Sequence, residues 1–132
     1  MDLQDFLSFG LTTLKKSRAL ILKKVARGFG CSIKADCTLV TEVDRETEQL
    51  IRREIEFYFP EHGIIGEEFG NSREDAEFKW YLDPIDGTIS FSKGIPLYGT
   101  ILALHHENIP VERFKSLAYL QHNMLPSIHM RM

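Results

Sequence analysis

The sequence predicts an α+β layer: two long helices packed on an antiparallel sheet whose strand tips converge. Three observations carry this. Apolar residues recur at helical spacing over residues 2–27 and again over 41–59. Short apolar runs at Gly63-Ile64-Ile65-Gly66, Trp80-Tyr81-Leu82 and Tyr98 to His105 read as strands. The first two of these runs each end abruptly on carboxylate, at Glu67-Glu68 and at Asp83.

In the first helix Leu3, Phe6, Leu7, Leu11 and Leu14 share a face, and residues 20–25 resume it among lysines. An irregularity is expected around Gly10, and Gly28 and Gly30 end the helix. Residues 31–40 read as a loop or short hairpin. Thr41-Glu42-Val43-Asp44 then fits a capping box, so Asp44 has a cap to make. Val43, Thr47, Leu50, Ile51, Ile55 and Tyr58 trace a stripe up to Phe59, where Pro60 stops the helix. The strand at 63–68 leads into a polar loop at 69–77, from which the strand at 78–83 returns as in a hairpin. Pro84 cannot donate to a ladder, which predicts the strand's end there. A short helix or turn over 90–94, a third strand over 98–105 and a turn at Glu107-Asn108 follow.

With 132 residues the chain makes one domain, and 43% hydrophobic with 27% charged residues is an ordinary globular balance. The formal net charge of −3 argues against nucleic acid as a partner, but the charge is uneven. Residues 1–30 hold six bases against two acids, whereas residues 36–86 hold fifteen acids against five bases. An anionic substrate would be repelled from that middle unless cations intervene. Cys31 and Cys37 match neither a redox pair nor a zinc knuckle, and suit a reducing compartment. No leader or membrane-length apolar run is visible, so a cytoplasmic protein without a membrane partner is expected.

The organising stretch is Lys79-Trp80-Tyr81-Leu82-Asp83-Pro84-Ile85-Asp86-Gly87-Thr88. Asp83 and Asp86 are followed by a flexible glycine and a hydroxyl that can open a helix, whose N–H groups face an anion. Two carboxylates beside an anion-binding turn suggest a hard cation held against a phosphate.

Together with Gly66-Glu67-Glu68, and with the run from Lys34 to Asp44 that includes Thr41-Glu42-Val43-Asp44, this stretch resembles the inositol monophosphatase superfamily of magnesium-dependent, often lithium-sensitive phosphatases. The continuation Gly94-Ile95-Pro96-Leu97-Tyr98-Gly99-Thr100 resembles more closely its histidinol-phosphatase branch. The likeness covers residues 3–111. It implies an N-terminal α+β phosphatase domain at 1–111, an atypical tail at 112–132, and a C-terminal α/β domain that the chain lacks.

The resemblance also implies a phosphoric monoester hydrolase using Mg2+. Glu67, Asp83 and the Ile85 carbonyl would hold a first ion, and Asp83 and Asp86 a second. Glu67 and Thr88 would position a metal-activated water for attack on phosphorus, while Gly87 and Thr88 N–H groups cradle the phosphate. Lys34 and Asp44 would form an outer shell, although Lys34 also reads as a surface lysine. The implied partner is a small phosphate monoester such as histidinol phosphate or inositol monophosphate. Relatives are commonly dimers, and apolar surface left open by a missing domain predicts self-association.

Two further readings stand beside this one. A haloacid-dehalogenase signature would need Asp at position 84, where Pro84 stands. A truncated or frame-altered fragment would bind divalent cations without turnover. His105-His106 reads as a solvated strand end, because Pro110 occupies the place of a zincin's second histidine.

Overall fold

A computed structural model describes residues 2–34, 39–95, 97–117 and 128–131. Cys37 and Pro96, and most of the stretch after Leu117, lie outside the described residues.

Helix α1 (Leu3–Arg27) begins at Asp2, whose side chain accepts the Asp5 N–H while Asp5 returns the bond to the Asp2 N–H. Lys24 and Arg27 stand in its last turn, where cations suit the helix dipole. The helix runs unbroken through Gly10. That glycine is there for packing: a Cβ on it would fall inside the ring of Phe114. The short ribbon β1 (Cys31–Ile33) and β2 (Leu39–Thr41) confirms the hairpin reading. Helix α2 (Glu42–Tyr58) carries the expected capping box between Thr41 and Asp44.

The main sheet joins β3 (Gly63–Gly66), β4 (Asn71–Ser72), β5 (Phe78–Asp86), β6 (Gly99–His106), β7 (Ile109–Leu117) and β8 (Ile128–Arg131) in the order β4-β3-β5-β6-β7-β8. It is antiparallel except at one seam. β3 and β5 pair in parallel, from Gly63 with Lys79 to Gly66 with Leu82. The hairpin expected between them is therefore corrected. The antiparallel place beside β3 is taken by β4, and the chain then crosses to the other edge of β3. Glycine at φ 72° (Gly70) and Arg73 at φ 47° turn the chain there.

Pro84 does not end β5, again contrary to expectation. The strand continues to Asp86 through a register shift between Asp83 and Asp86, and the buried Thr100 hydroxyl donates to the Pro84 carbonyl at 2.8 Å. The missing donor is accommodated at an irregular step, where no ladder bond is demanded. β7 continues through position 111, where the register with β6 shifts opposite Leu104 and His105, and pairs with β6 as far as Leu117.

The core lies between the helices and one face of the sheet. Phe6, Phe9 and Leu14 of α1 and Ile51 and Ile55 of α2 meet Trp80, Leu82, Leu102, Leu104 and Phe114. A smaller cluster of Ile21, Val43, Ile85 and Phe91 lies around the end of β5. The histidine pair is not simply solvated. His105 packs on Tyr81, and His106 stacks on Phe78 and pairs with Glu77 at 2.7 Å. Among the described residues no helix is long and apolar enough to cross a membrane.

Candidate metal and phosphate site

The parallel seam creates the site. Because β3 and β5 run the same way with Gly66 opposite Leu82, the next residues, Glu67 and Asp83, emerge side by side where the β3–β5 pairing ends. β5 then delivers Ile85, whose side chain is buried, and Asp86, which is partly exposed. Gly87 caps helix α3 (Thr88–Ser92) at φ 89° and ψ 44°, a left-handed conformation. A Cβ there would also come within 2.5 Å of the Leu97 carbonyl, so only glycine fits this turn. The Thr88 hydroxyl donates to the Ile85 carbonyl at 3.0 Å and lies 3.5 Å from Asp44 Oδ1.

Asp44 is itself buried. Its Oδ2 accepts the Thr41 N–H at 2.8 Å and the Thr41 hydroxyl at 2.6 Å, so the cap is made and Oδ1 is turned to Thr88. Burial raises its carboxyl above the ordinary range, with Glu68 adding repulsion, while the Thr41 hydrogen bonds and Lys34 oppose.

The cluster is short of positive charge. Burial and the neighbouring Glu67, Asp86, Asp44 and Glu68 push Asp83 up to about 7. Partial burial also raises Glu67, helped by Glu68, Asp44 and Glu48 and opposed by Lys34. Two lysines compensate in part. Lys34 pairs with Glu68 at 2.7 Å, and Lys115 from β7 stands 3.4 Å from Asp86 Oδ2. Lys34 is thus at the acid cluster, and its link is to Glu68.

Glu48, on α2, escaped the sequence reading. It is fully buried and accepts the backbone N–H of Glu68 at 3.0 Å and of Phe69 at 2.9 Å. Arg52 donates to it at 3.0 Å and also reaches the Gly70 carbonyl. The signal was present: Asp44, Glu48 and Ile51 fall one turn apart on the buried face of α2. A carboxylate on an apolar stripe needs partners, and here they are the turn that carries Glu67.

Glu67, Asp83 and Asp86 offer carboxylate oxygens, and the Ile85 carbonyl adds another oxygen. Such a set fits a hard cation such as magnesium, and the raised Asp83 shows where positive charge is wanted. Among the described residues, the group of three whose ligand atoms lie within 4.8 Å of one another is a different one, Glu77, His106 and Glu107. It sits at the opposite end of β5. Glu67, Asp83 and Asp86 are neighbours but are not drawn into one such shell, as expected of like charges.

The sequence model of the inositol monophosphatase family matches residues 2–112. This chain belongs to the inositol monophosphatase family. It is 50% identical over 74 residues to a histidinol-phosphatase of Chlorobaculum parvum, covering 56% of this chain and 29% of that protein. Among solved structures, an inositol monophosphatase of Thermotoga maritima superposes with a TM-score of 0.82 at 29% identity, over 96% of this chain and 48% of that one. An IMPase/NADP phosphatase complexed with Mg2+ and phosphate matches with a TM-score of 0.78 at 28% identity, over 87% of this chain and 44% of that one. The chain spans about a third of the length of the curated relatives it matches.

Proposed function

We propose that this chain carries the cation-binding and phosphate-binding half of a phosphomonoesterase site, with Mg2+ as cofactor and histidinol phosphate as the first substrate to try. The observation that carries the reading is the exit of β5. Asp83, Asp86 and Thr88 meet Glu67 there, and burial, reinforced by the neighbouring carboxylates, has pushed Asp83 up to about 7. The solved relative complexed with Mg2+ and phosphate supports the ligand class. The relatives named histidinol-phosphatase support the substrate, with inositol monophosphate next.

Glu67, Asp83 and Asp86, with the Ile85 carbonyl, would hold the ions. Bound magnesium supplies the charge that draws a phosphate into this acidic place and acidifies water for attack. The rest falls to the chain's own groups. Glu67, just past the end of β3 and beside Asp83, would help position the attacking water. The Thr88 hydroxyl, held by the Ile85 carbonyl and next to Asp44, orients that water. The N–H groups of Gly87 and Thr88 would donate to the phosphate oxygens. Asp44 and Lys34 fix the surroundings from outside.

The test is Mg2+-dependent phosphate release from histidinol phosphate and from inositol monophosphate. It compares this chain, its Asp83→Asn and Glu67→Gln variants, and the chain extended by the C-terminal half of a relative. The extended form should release phosphate fastest and both variants should lose release. Orientation of the alcohol is worth several kcal/mol, and each ~1.4 kcal/mol is tenfold in rate. Phosphate release unaffected by either substitution would reject the reading.

A further inference from the structure

We propose that Lys115 is a resident counter-ion of Asp86 and weakens the cation subsite that Asp86 builds. The inference rests on the cation-binding reading above and concerns how this particular chain divides its site.

The sheet puts Lys115 in place. Asp83 pairs with Ile101 and Ile101 with Lys115, so the three form one cross-strand row over β5, β6 and β7. Leu82 and Phe114 are buried against the helices, so alternation sets Asp83 and Lys115 on the other face of the sheet. Along that face Gly99, the partner of Asp86, offers no side chain to obstruct a lysine stem crossing toward β5. The ammonium arrives 3.4 Å from Asp86 Oδ2, with the lysine side chain 27% and the aspartate side chain 47% exposed.

This ammonium comes from a strand with partners on both edges, since β7 pairs with β6 and with β8. The Lys115 backbone is therefore held in place between two neighbours. The acid cluster of Asp44, Glu67, Glu68, Asp83 and Asp86 has Lys34 at its Glu68 side and Lys115 at its Asp86 side. A divalent ion approaching Asp86 meets a like charge, which must swing away or be tolerated. At an effective dielectric between bulk water and protein, such a charge changes binding on the order of tenfold.

The experiment is a calorimetric Mn2+ titration at one pH and ionic strength, with free Mn2+ counted by electron paramagnetic resonance. The proteins are the full chain, K115M, K115R, D86N, K115M/D86N and, as a charge control, K93M. K115M should tighten the Asp86 subsite on the order of tenfold, K115R should bind as the unsubstituted chain does, and K93M should leave that subsite unchanged. In the D86N background K115M should have no effect, because its action runs through Asp86. A K115M isotherm identical to that of the unsubstituted chain overturns the proposal, and so does an equal gain from K93M or an equal gain with D86N. Absence of any Mn2+ binding by the unsubstituted chain would instead refute the cation-binding reading, and this inference with it.

Discussion

Gly66 lies opposite Leu82 in a parallel pair, and that register sets Glu67 beside Asp83 where β3 ends and β5 runs on. An antiparallel hairpin of the same two strands would have put the carboxylates at opposite ends. At a rise of about 3.3 Å per residue, four residues of strand would have separated them by more than 10 Å. The nine-residue β5 also carries its far end well away from Glu77 and His106. The site therefore depends on the crossing at residues 67–77, and that crossing is fastened by Glu48.

Glu48→Ala should be among the most damaging substitutions. It strips two backbone N–H groups of their acceptor and leaves Arg52, whose side chain is 12% exposed, without its buried carboxylate. Removing one partner of a buried charged network costs about 3 kcal/mol or more. Glu48→Gln, which keeps an acceptor oxygen, should cost about half as much. Urea unfolding gives the stability, and hydrogen exchange at the Glu68 and Phe69 amides should accelerate before the rest of the sheet. An unchanged midpoint for Glu48→Ala would contradict the role.

Gly10→Ala tests a contact between α1 and β7. Alanine gains about 1 kcal/mol of helix propensity over glycine, but its Cβ would overlap the Phe114 ring. Overpacking costs about 1–3 kcal/mol, so the net effect should be a loss of stability. Phe114→Ala alone should cost about 3–5 kcal/mol, since the ring is fully buried in the main core. In the Phe114→Ala background the sign reverses and Gly10→Ala stabilises. Denaturant unfolding of the four proteins decides it, and a destabilising Gly10→Ala in both backgrounds would rule out the ring as the cause.

Both helices, the N-cap of α2 and the cores of β3, β5 and β6 were legible in the sequence, because each rests on local periodicity or local hydrogen bonding. Thr41 and Asp44 announce a capping box within four residues, and the box is there. The pairing of β3 with β5 was not legible. The loop between them is long enough for a hairpin or a crossing, and what decides is the two-residue strand Asn71–Ser72 taking the antiparallel edge. Pro84 misled for a related reason. Its missing donor ends a regular ladder, but this strand is irregular between Asp83 and Asp86, with Thr100 bonded to the Pro84 carbonyl from the next strand. The carboxylates of the site were legible by position and their company was not, since Glu48 and Lys115 reach them from 20 and 29 residues away.

His62 should act as an acid-side weak point. Its Nδ1 accepts the Trp80 indole N–H at 3.0 Å, and its ring stacks on Phe59. Burial holds its pKa below the usual 6.5. A histidine whose folded pKa is depressed is neutral in the fold while the unfolded chain charges. Its stability contribution is therefore complete above about 6.5 and is lost as pH falls through that value toward the folded pKa. Protonation would also break the Trp80 bond. Trp80 is the chain's single tryptophan, so its fluorescence reports directly on the event. Unfolding midpoints between pH 7 and 5 should fall faster for the unsubstituted chain than for His62→Gln, and equal slopes would exclude His62 as the group responsible.

Asp83 should tilt stability the other way, and magnesium should remove the tilt. In the cation-free fold its carboxyl is raised by burial and by Glu67, Asp86, Asp44 and Glu68 from 3.8 to about 7. Between those values the folded protein holds a proton that the unfolded chain has released. Stability attributable to this group therefore falls as pH rises from about 4 to about 7, and is flat above. A divalent ion must displace the same proton. Its apparent affinity should drop by up to about tenfold for each pH unit below 7, and binding near pH 6 should release a proton. Saturating Mg2+ stabilises the fold by mass action, and the gain should be larger at pH 8 than at pH 6. Asp83→Asn should flatten the cation-free slope and abolish proton release, with His62→Gln as the background in which the two opposing trends are separated. Unfolding midpoints with and without Mg2+, together with calorimetry in two buffers of different ionisation enthalpy, measure both effects. Proton release that persists undiminished in Asp83→Asn would assign the displaced proton to another carboxyl and remove Asp83 from the centre of the site.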